Sequence, residues 1–384
     1  MKKFDCIVIG FGGVGSGALW EGAKRGWSML GLDRFGPGHD RGSSHGQTRI
    51  IRRAYFEHPN YVPLVERSFQ LWEELTQRHR TSPDVKALFL PTGLLQVGPA
   101  TSPVIQGVQA SASAFDLPIE RFTAAEIEDR LPILKVPQDQ VGIFESGAGL
   151  LRVELCVAAM IQQARKLGAE IVSDCPVTNW QVQDNGSIEV RCGETLFQAD
   201  RLVIASGSWS AQLLAGLQLP LRVLRKQQHW FQLDRVENKL VNRFPAFLFE
   251  QEDGSVFYGM PEIDHLGMKV AEHSGGDLVD NPNVLNRDLN KQDLQRVETF
   301  LRDHFRYGYH RMVHFSQCMY TMSTDGHFII DRYPGYSNVA FAAGLSGHGF
   351  KFAPRLGQYL VGLVNGEESS EFDFLKLRPF GPFV

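Results

Sequence analysis

The sequence predicts an α/β fold, α+β overall, in which a parallel-sheet domain assembled from separated parts of the chain carries an antiparallel-sheet domain. Three observations predict it. The run Phe4-Asp5-Cys6-Ile7-Val8-Ile9 is a short apolar strand that breaks into the glycine-rich turn Gly10-Phe11-Gly12-Gly13-Val14-Gly15. Short buried-strand patterns recur in the middle of the chain, at 202–205, and near its end, at 338–343. Elsewhere lie segments of alternating apolar and polar residues, the pattern of half-buried antiparallel strands.

In chain order, residues 4–9 and 28–32 read as parallel strands around a helix near 14–25, a βαβ unit. The turn follows G-x-G-x-x-G, and Asp33 closes the second strand, which makes the unit Rossmann-like. Glycine lets the backbone approach a pyrophosphate at the helix N-terminus, and Asp33 would accept hydrogen bonds from ribose hydroxyls. This motif leaves FAD and NAD equally open, and Arg34 reads either as a ligand contact or as a solvated charge. Gly36 through Gly46 is a polar, glycine-rich loop. Tyr61–Gln77 has helical spacing, with Leu64, Leu71, Trp72 and Leu75 on one face. Leu202-Val203-Ile204-Ala205 is a buried strand, and Asn338–Ala343 is another, followed by a glycine-rich turn at 344–349 and a helix from about Phe350 to Val364. Leu88-Phe89-Leu90, His229–Leu233 and Ser255–Tyr258 read as strands of the antiparallel domain. The expected division is 1–82, 146–215 and 313–384 for the nucleotide domain, with 83–145 and 216–312 for the substrate domain.

A chain of 384 residues exceeds one ordinary core. Apolar residues make up 43% and charged residues 21%, as in globular proteins, and the net charge of −4 argues against a nucleic-acid partner. No apolar run approaches the ~20 residues that span a bilayer, and Ile7-Val8-Ile9 is too short for a signal core of ~7–15 residues. The five cysteines (6, 156, 175, 192 and 318) lack metal-ligand spacing and read as free thiols of a cytoplasmic protein.

Three separated segments carry a specific resemblance. They are Gly42-Ser43-Ser44-His45-Gly46-Gln47-Thr48-Arg49-Ile50-Ile51-Arg52-Arg53-Ala54-Tyr55, read as a loop; Cys318-Met319-Tyr320-Thr321; and Asp325–Asp331 with Gly344–Phe352. In this order they resemble the monomeric sarcosine oxidase and N-methyltryptophan oxidase family, over almost the whole chain. Cys175-Pro176-Val177-Thr178 and Phe244-Pro245-Ala246-Phe247 look closest to the N-methyltryptophan branch.

The resemblance implies FAD joined through its 8α carbon to the sulfur of Cys318. It implies cofactor contacts from Gly10, Gly12, Gly13, Val14, Gly15, Asp33 and Arg34 at the N-terminal turn. Gly42, Ser43, His45, Arg49, Ile50, Val177 and Met319 would add contacts along the flavin, with Gly344, Gly347, His348, Gly349 and Lys351 at the C-terminal turn. Arg52 and Lys351 match a clamp for a substrate carboxylate. Tyr258 and His273 match pocket residues that hold the substrate and tune amine protonation, Arg49 lies beside the flavin, and Tyr320 lines the pocket. Lys269 read alone is the outward residue of a strand. The resemblance places it over the flavin ring, where a cation favours electron transfer to dioxygen. Ser44 stands where the family usually has histidine and Gln47 where it usually has aspartate, neither at a position assigned to the chemistry. The implied protein is a monomeric oxidase of N-methyl amino acids that consumes dioxygen and gives amino acid, formaldehyde and hydrogen peroxide. An oxidase of cyclic imino acids or fructosyl amino acids, a flavin dehydrogenase and a non-catalytic flavin-binding protein are the alternatives.

Overall fold

The computed structural model describes residues 2–79, 86–232, 244–306 and 311–383. Strand Lys3–Ile9 is flanked on both sides within an eight-stranded sheet. It pairs in parallel with Met29–Leu32 and with Thr195–Ile204, which in turn pairs in parallel with Val339–Ala343. The strands expected from the beginning, middle and end of the chain therefore do meet in one sheet. Cys6, Ile7, Val8 and Ile9 are all buried, as an unbroken apolar run requires where both faces of a parallel sheet are covered.

Helix Gly13–Lys24 covers this sheet and crosses helix Ala353–Val364 at close range. Glycine makes the crossing possible: a Cβ on Gly357 would lie 2.3 Å from the backbone of Gly17 and Ala18. Helix Tyr61–His79 buries Leu64, Leu71, Trp72 and Leu75, the face expected from the spacing. Trp72 Nε1 donates to the Lys351 carbonyl at 2.9 Å and ties that helix to the C-terminal turn.

The second sheet has nine strands. Arg222–Gln232 pairs antiparallel with Met268–Glu272 and with Arg311–Met322. Val256–Met260 and Ala246–Glu250 extend it, and the strands Leu94–Pro99, Gln140–Glu145 and Glu120–Thr123 complete that side. One face packs Phe247, Phe249 and Phe257 against Phe300 of helix Lys291–His304. The other face looks toward the parallel-sheet half and bears the site.

Four expectations need correction. Phe89–Leu90 pairs with Gly149–Arg152 in a separate three-stranded sheet, not in the nine-stranded one. Thr48–Ile51, read as loop, is the third strand of that small sheet. The strand expected from His229 begins seven residues earlier, at Arg222. Its expected last residue, Leu233, lies outside the described residues, as does the expected domain limit at 82–83. Lastly, Cys175 and Cys192 form a disulfide, leaving Cys6, Cys156 and Cys318 as free thiols. The hairpin of Val177–Val182 with Ile188–Cys192 sets Val177 opposite Cys192 and brings Cys175 alongside, a register that cysteine spacing does not reveal.

Candidate active site

Residues paired across a sheet share a face, and the face alternates along each strand. In the nine-stranded sheet Trp230 is opposite Lys269, Lys269 opposite Met260, and Ala271 opposite Tyr258. On the neighbouring strand Lys226 is opposite Cys318 and Leu224 opposite Tyr320. Lys226, Gln228, Trp230, Tyr258, Lys269, Cys318 and Tyr320 are therefore on one face, and His273, just past its strand, joins them. Five of the residues singled out from the sequence, Tyr258, Lys269, His273, Cys318 and Tyr320, fall on this face together. Lys226, Gln228 and Trp230 were not singled out.

Two cavities open beside this face. A cleft of about 1430 Å³, counted out to open solvent, runs from the N-terminal glycine turn to the C-terminal one. Gly10, Gly12, Gly13, Val14, Asp33, Arg34, Gly42, Ser43, Arg49, Val177, Met319, Gly344, Gly347 and Gly349, named from the sequence as cofactor contacts, line it. Gly15 packs inside instead, because a Cβ there would lie 1.7 Å from the Gly10 carbonyl. Asp33 accepts from the backbone N–H of Phe11 at 2.8 Å and of Phe35 at 2.9 Å, and burial pushes its carboxyl pKa up. Arg34 reaches across to the Asn283 side chain, so it is neither free nor simply solvated. Ser44 Oγ accepts from Gly13 N–H at 3.0 Å and thus sits at the helix N-terminus.

The cleft suits a dinucleotide bearing a flat ring system. Its one end offers the amides of a helix start, and at the other Gly347 leaves room that a Cβ would fill at 2.4 Å from the Tyr320 ring. His45, expected beside the ring, is buried, and its Nε2 has no partner among the described residues. Burial and nearby Arg49 push its pKa down to about 3, so it is neutral. Cys318 is fully buried, with Arg49 Nη2 donating to its sulfur at 3.5 Å.

The second cavity, about 530 Å³, shares Arg49, Tyr320, Gly347 and Phe350 with the cleft. Ile50, Arg52, Tyr258, His273, His348 and Lys351 also line it. Ile50, His348 and Lys351, expected as cofactor contacts, thus face this cavity. Arg52 donates from Nη2 to Glu57 at 2.7 Å, while its buried Nε has no partner among the described residues. Lys351 Nζ donates to the His348 carbonyl at 2.8 Å and to the Tyr55 hydroxyl at 3.2 Å, which leaves a third N–H. His348 Nε2 faces the Gly326 carbonyl at 3.0 Å and must carry the proton, so its Nδ1 accepts from Tyr55 at 2.6 Å. Burial pushes the Glu57 carboxyl up, but Arg52, His348 and Lys351 outweigh it and hold the pKa at about 2. Burial, followed by Arg52, pushes the Lys351 pKa well below its usual value.

His273 Nδ1 lies 3.3 Å from the Tyr320 hydroxyl, and Gln228 Nε2 donates to the Tyr258 hydroxyl at 3.4 Å. Burial and Lys226 hold the His273 pKa at about 3. Lys226 in turn donates to the carbonyls of His273 at 2.9 Å, Ser274 and Gly275, fixing the segment that presents His273. Lys269 is 1% exposed, which rules out an outward strand position. Its Nζ donates to the carbonyls of Gly46 at 2.8 Å and Thr48 at 2.7 Å. Burial and Arg49 push its pKa well below the usual lysine value, and Glu154 opposes them.

The FAD dependent oxidoreductase model matches residues 5–363. Monomeric sarcosine oxidase of Streptomyces avermitilis is 38% identical over 370 residues, covering 94% of this chain and 93% of that protein. N-methyl-L-tryptophan oxidase of Escherichia coli K12 is 36% identical over 379 residues, covering 98% of each. Among solved structures, the open form of NikD, an amino acid oxidase of nikkomycin biosynthesis, matches with a TM-score of 0.83 at 21% identity, over 96% of each chain. Glycine oxidase of Geobacillus kaustophilus matches with a TM-score of 0.82 at 17% identity, over 99% of this chain and all of the other.

Proposed function

Because the chain belongs to the FAD dependent oxidoreductase family, we propose that it is an oxidase of secondary N-methyl amino acids carrying FAD on Cys318. The two relatives are named for sarcosine and N-methyltryptophan, which share a carboxylate and a secondary N-methyl amine. The observation that carries the reading is the cavity beside the cleft, lined both by Arg52, whose buried Nε has no partner among the described residues, and by Lys351, which keeps a spare N–H. Two buried cationic groups with unused donors suit a bound carboxylate, since an unmade hydrogen bond to a charged group is costly.

FAD, when bound, supplies the two-electron acceptor, and dioxygen restores it with hydrogen peroxide as product. Arg52 and Lys351 hold the carboxylate, by a planar fork and a point charge. Neutral His273 and Tyr320 face the amine and favour its uncharged form, which is the form that can be oxidised. Arg49 places a fixed cation beside the Cys318 sulfur, as suits a thiol that must react as its anion. Lys269 supplies the buried donor where oxygen is reduced. The division into a nucleotide domain at 1–82, 146–215 and 313–384 and a substrate domain at 83–145 and 216–312 belongs to this reading. Strand Arg311–Met322, which that division cuts at 313, pairs along its length with Arg222–Gln232 of the substrate domain and carries Cys318 on the face that bears the site.

The test is oxygen uptake and peroxide release by the purified yellow protein with sarcosine, N-methyltryptophan, pipecolate and a fructosyl amino acid. Turnover with the N-methyl amino acids above the other two is the expected result. Preference for pipecolate or the sugar adduct, or reduction without peroxide, overturns the assignment.

A further inference from the structure

Gln47 is a strained residue with a fully engaged side chain, directly against Lys269. Its φ is +67°, in the left-handed region that residues with a Cβ rarely adopt. The N–H of Thr48 donates to the Gly46 carbonyl at 2.8 Å, closing a three-residue turn about Gln47, a tight and strained form. The two carbonyls on either side of Gln47 are those that accept from Lys269 Nζ.

Three anchors hold this turn. Glu154 Oε1 accepts from Gly46 N–H at 2.7 Å and from Gln47 N–H at 3.1 Å. Gln47 Oε1 accepts from Trp230 Nε1 at 2.7 Å, and Gln47 Nε2 donates to Asp264 Oδ2 at 2.8 Å. The amide orientation is settled by its partners, since an indole N–H only donates and a carboxylate only accepts. Trp230 is opposite Lys269 in the sheet, and Asp264 lies in the hairpin loop leading into the Lys269 strand. The Gln47 amide donates to Asp264, which a carboxylate at 47 would repel instead, so the pair Gln47 and Asp264 is matched.

We infer that Gln47 is a positioning residue for Lys269: clamped between Trp230 and Asp264, it holds a strained turn whose two carbonyls fix the lysine amine at the oxygen-reducing position. This rests on the proposed role of Lys269, and the test separates the two claims. Gln47→Leu removes both side-chain bonds. Gln47→Glu keeps the Trp230 bond but opposes Asp264. Gln47→Asn tolerates positive φ but is one methylene too short, and serves if Gln47→Leu does not fold.

Each is measured alone and with Lys269→Met in the holoenzyme. Displacing the amine should slow reoxidation by dioxygen roughly 10- to 100-fold, while anaerobic reduction by substrate changes by less than about threefold. With Lys269→Met in place, a Gln47 change should slow reoxidation no further, because both act through one group. Additive slowing, or equal slowing of both half-reactions, overturns the inference. Chemical denaturation of the four proteins of each such cycle gives a readout independent of oxygen chemistry. Non-additive midpoints are expected, and additive ones count against the coupling. Wild-type reoxidation in Lys269→Met defeats the oxygen role alone, and the denaturation cycle still decides whether Gln47 holds Lys269.

Discussion

Arg49 touches both sides of the chemistry. It donates to Cys318 at 3.5 Å, to the Ser43 carbonyl at 2.9 Å and to the Thr48 carbonyl at 2.9 Å, and it lines both cavities. If Cys318 carries the flavin, the yellow colour should stay with the polypeptide after acid precipitation, and Cys318→Ser should release it. Wild-type flavin appearing in the acid supernatant refutes the attachment while leaving FAD binding intact. Arg52→Met and Lys351→Met each delete one charged donor, worth ~1.5–3 kcal/mol. Substrate and carboxylate inhibitors should therefore bind about 10- to 100-fold more weakly in equilibrium titration. Unchanged inhibitor affinity in both variants would take the carboxylate away from this cavity. Lys269→Met removes the amine and keeps the apolar stem. Reoxidation should slow ~100- to 1,000-fold if ~3–4 kcal/mol of charge stabilisation is lost, with anaerobic reduction far less affected in stopped flow.

At the level of elements, what the sequence made legible follows the periodicities. Apolar runs marked the central parallel strands, and helical spacing marked the buried face of Tyr61–His79, because burial on a fixed face leaves a repeating signature. Strand Arg222–Gln232 was only half visible. Its first part, Arg-Val-Leu-Arg-Lys-Gln-Gln, is polar, yet Arg225 through Phe231 are buried. One face, Lys226 and Gln228, looks into the site. On the other, Gln227 bonds to Gln317 and the Asn290 backbone, and its amide meets His229 Nε2. Polar residues paired inside the protein look like a loop when their partners, some sixty to ninety residues away, are unseen. Lys226, Gln228 and Trp230 were missed for that reason, and sheet register alone exposes them. The helix crossing at Gly357 gives a test at this scale. Gly357→Ala forces a methyl to 2.3 Å from the opposing backbone, so the two helices must separate. Such overpacking costs ~1–3 kcal/mol. Tm should fall by several degrees and FAD binding loosen, since one of these helices opens the nucleotide turn. Gly36→Ala, which meets nothing within 4 Å, is the control and should leave Tm unchanged. Equal Tm in both variants would show that the crossing relaxes freely.

Across the whole molecule, the site is an interior of cations and neutral histidines, and this makes folding stability depend on pH. Burial is the leading cause in holding His45 at about 3, His229 at about 4 and His348 at about 4. In the unfolded chain each returns to ~6.5. Between those limits the unfolded state binds protons that the folded state refuses, so stability rises with pH and is lost as pH falls below about 6.5. Each histidine contributes up to ~1.4 kcal/mol per pH unit, and three together approach ~4. Glu57, held at about 2, acts in the same direction but only below its ordinary range near 4.5. Asp33 and Glu145, pushed up by burial, oppose it there. The histidine effect should therefore appear cleanly between pH 6.5 and 5, where ordinary carboxylates are still ionised. The measurement is the chemical denaturation midpoint at pH 7.5, 6.5, 5.8 and 5. A steady fall below 6.5 is expected, and a flat profile would mean that these rings are protonated in the fold. His229 offers the sharper check, because it lies on the sheet face away from the flavin site and touches Gln227. His229→Phe should remove about one proton from the slope, whatever it does to stability at pH 7.5. An unchanged slope would take His229 out of the titrating set.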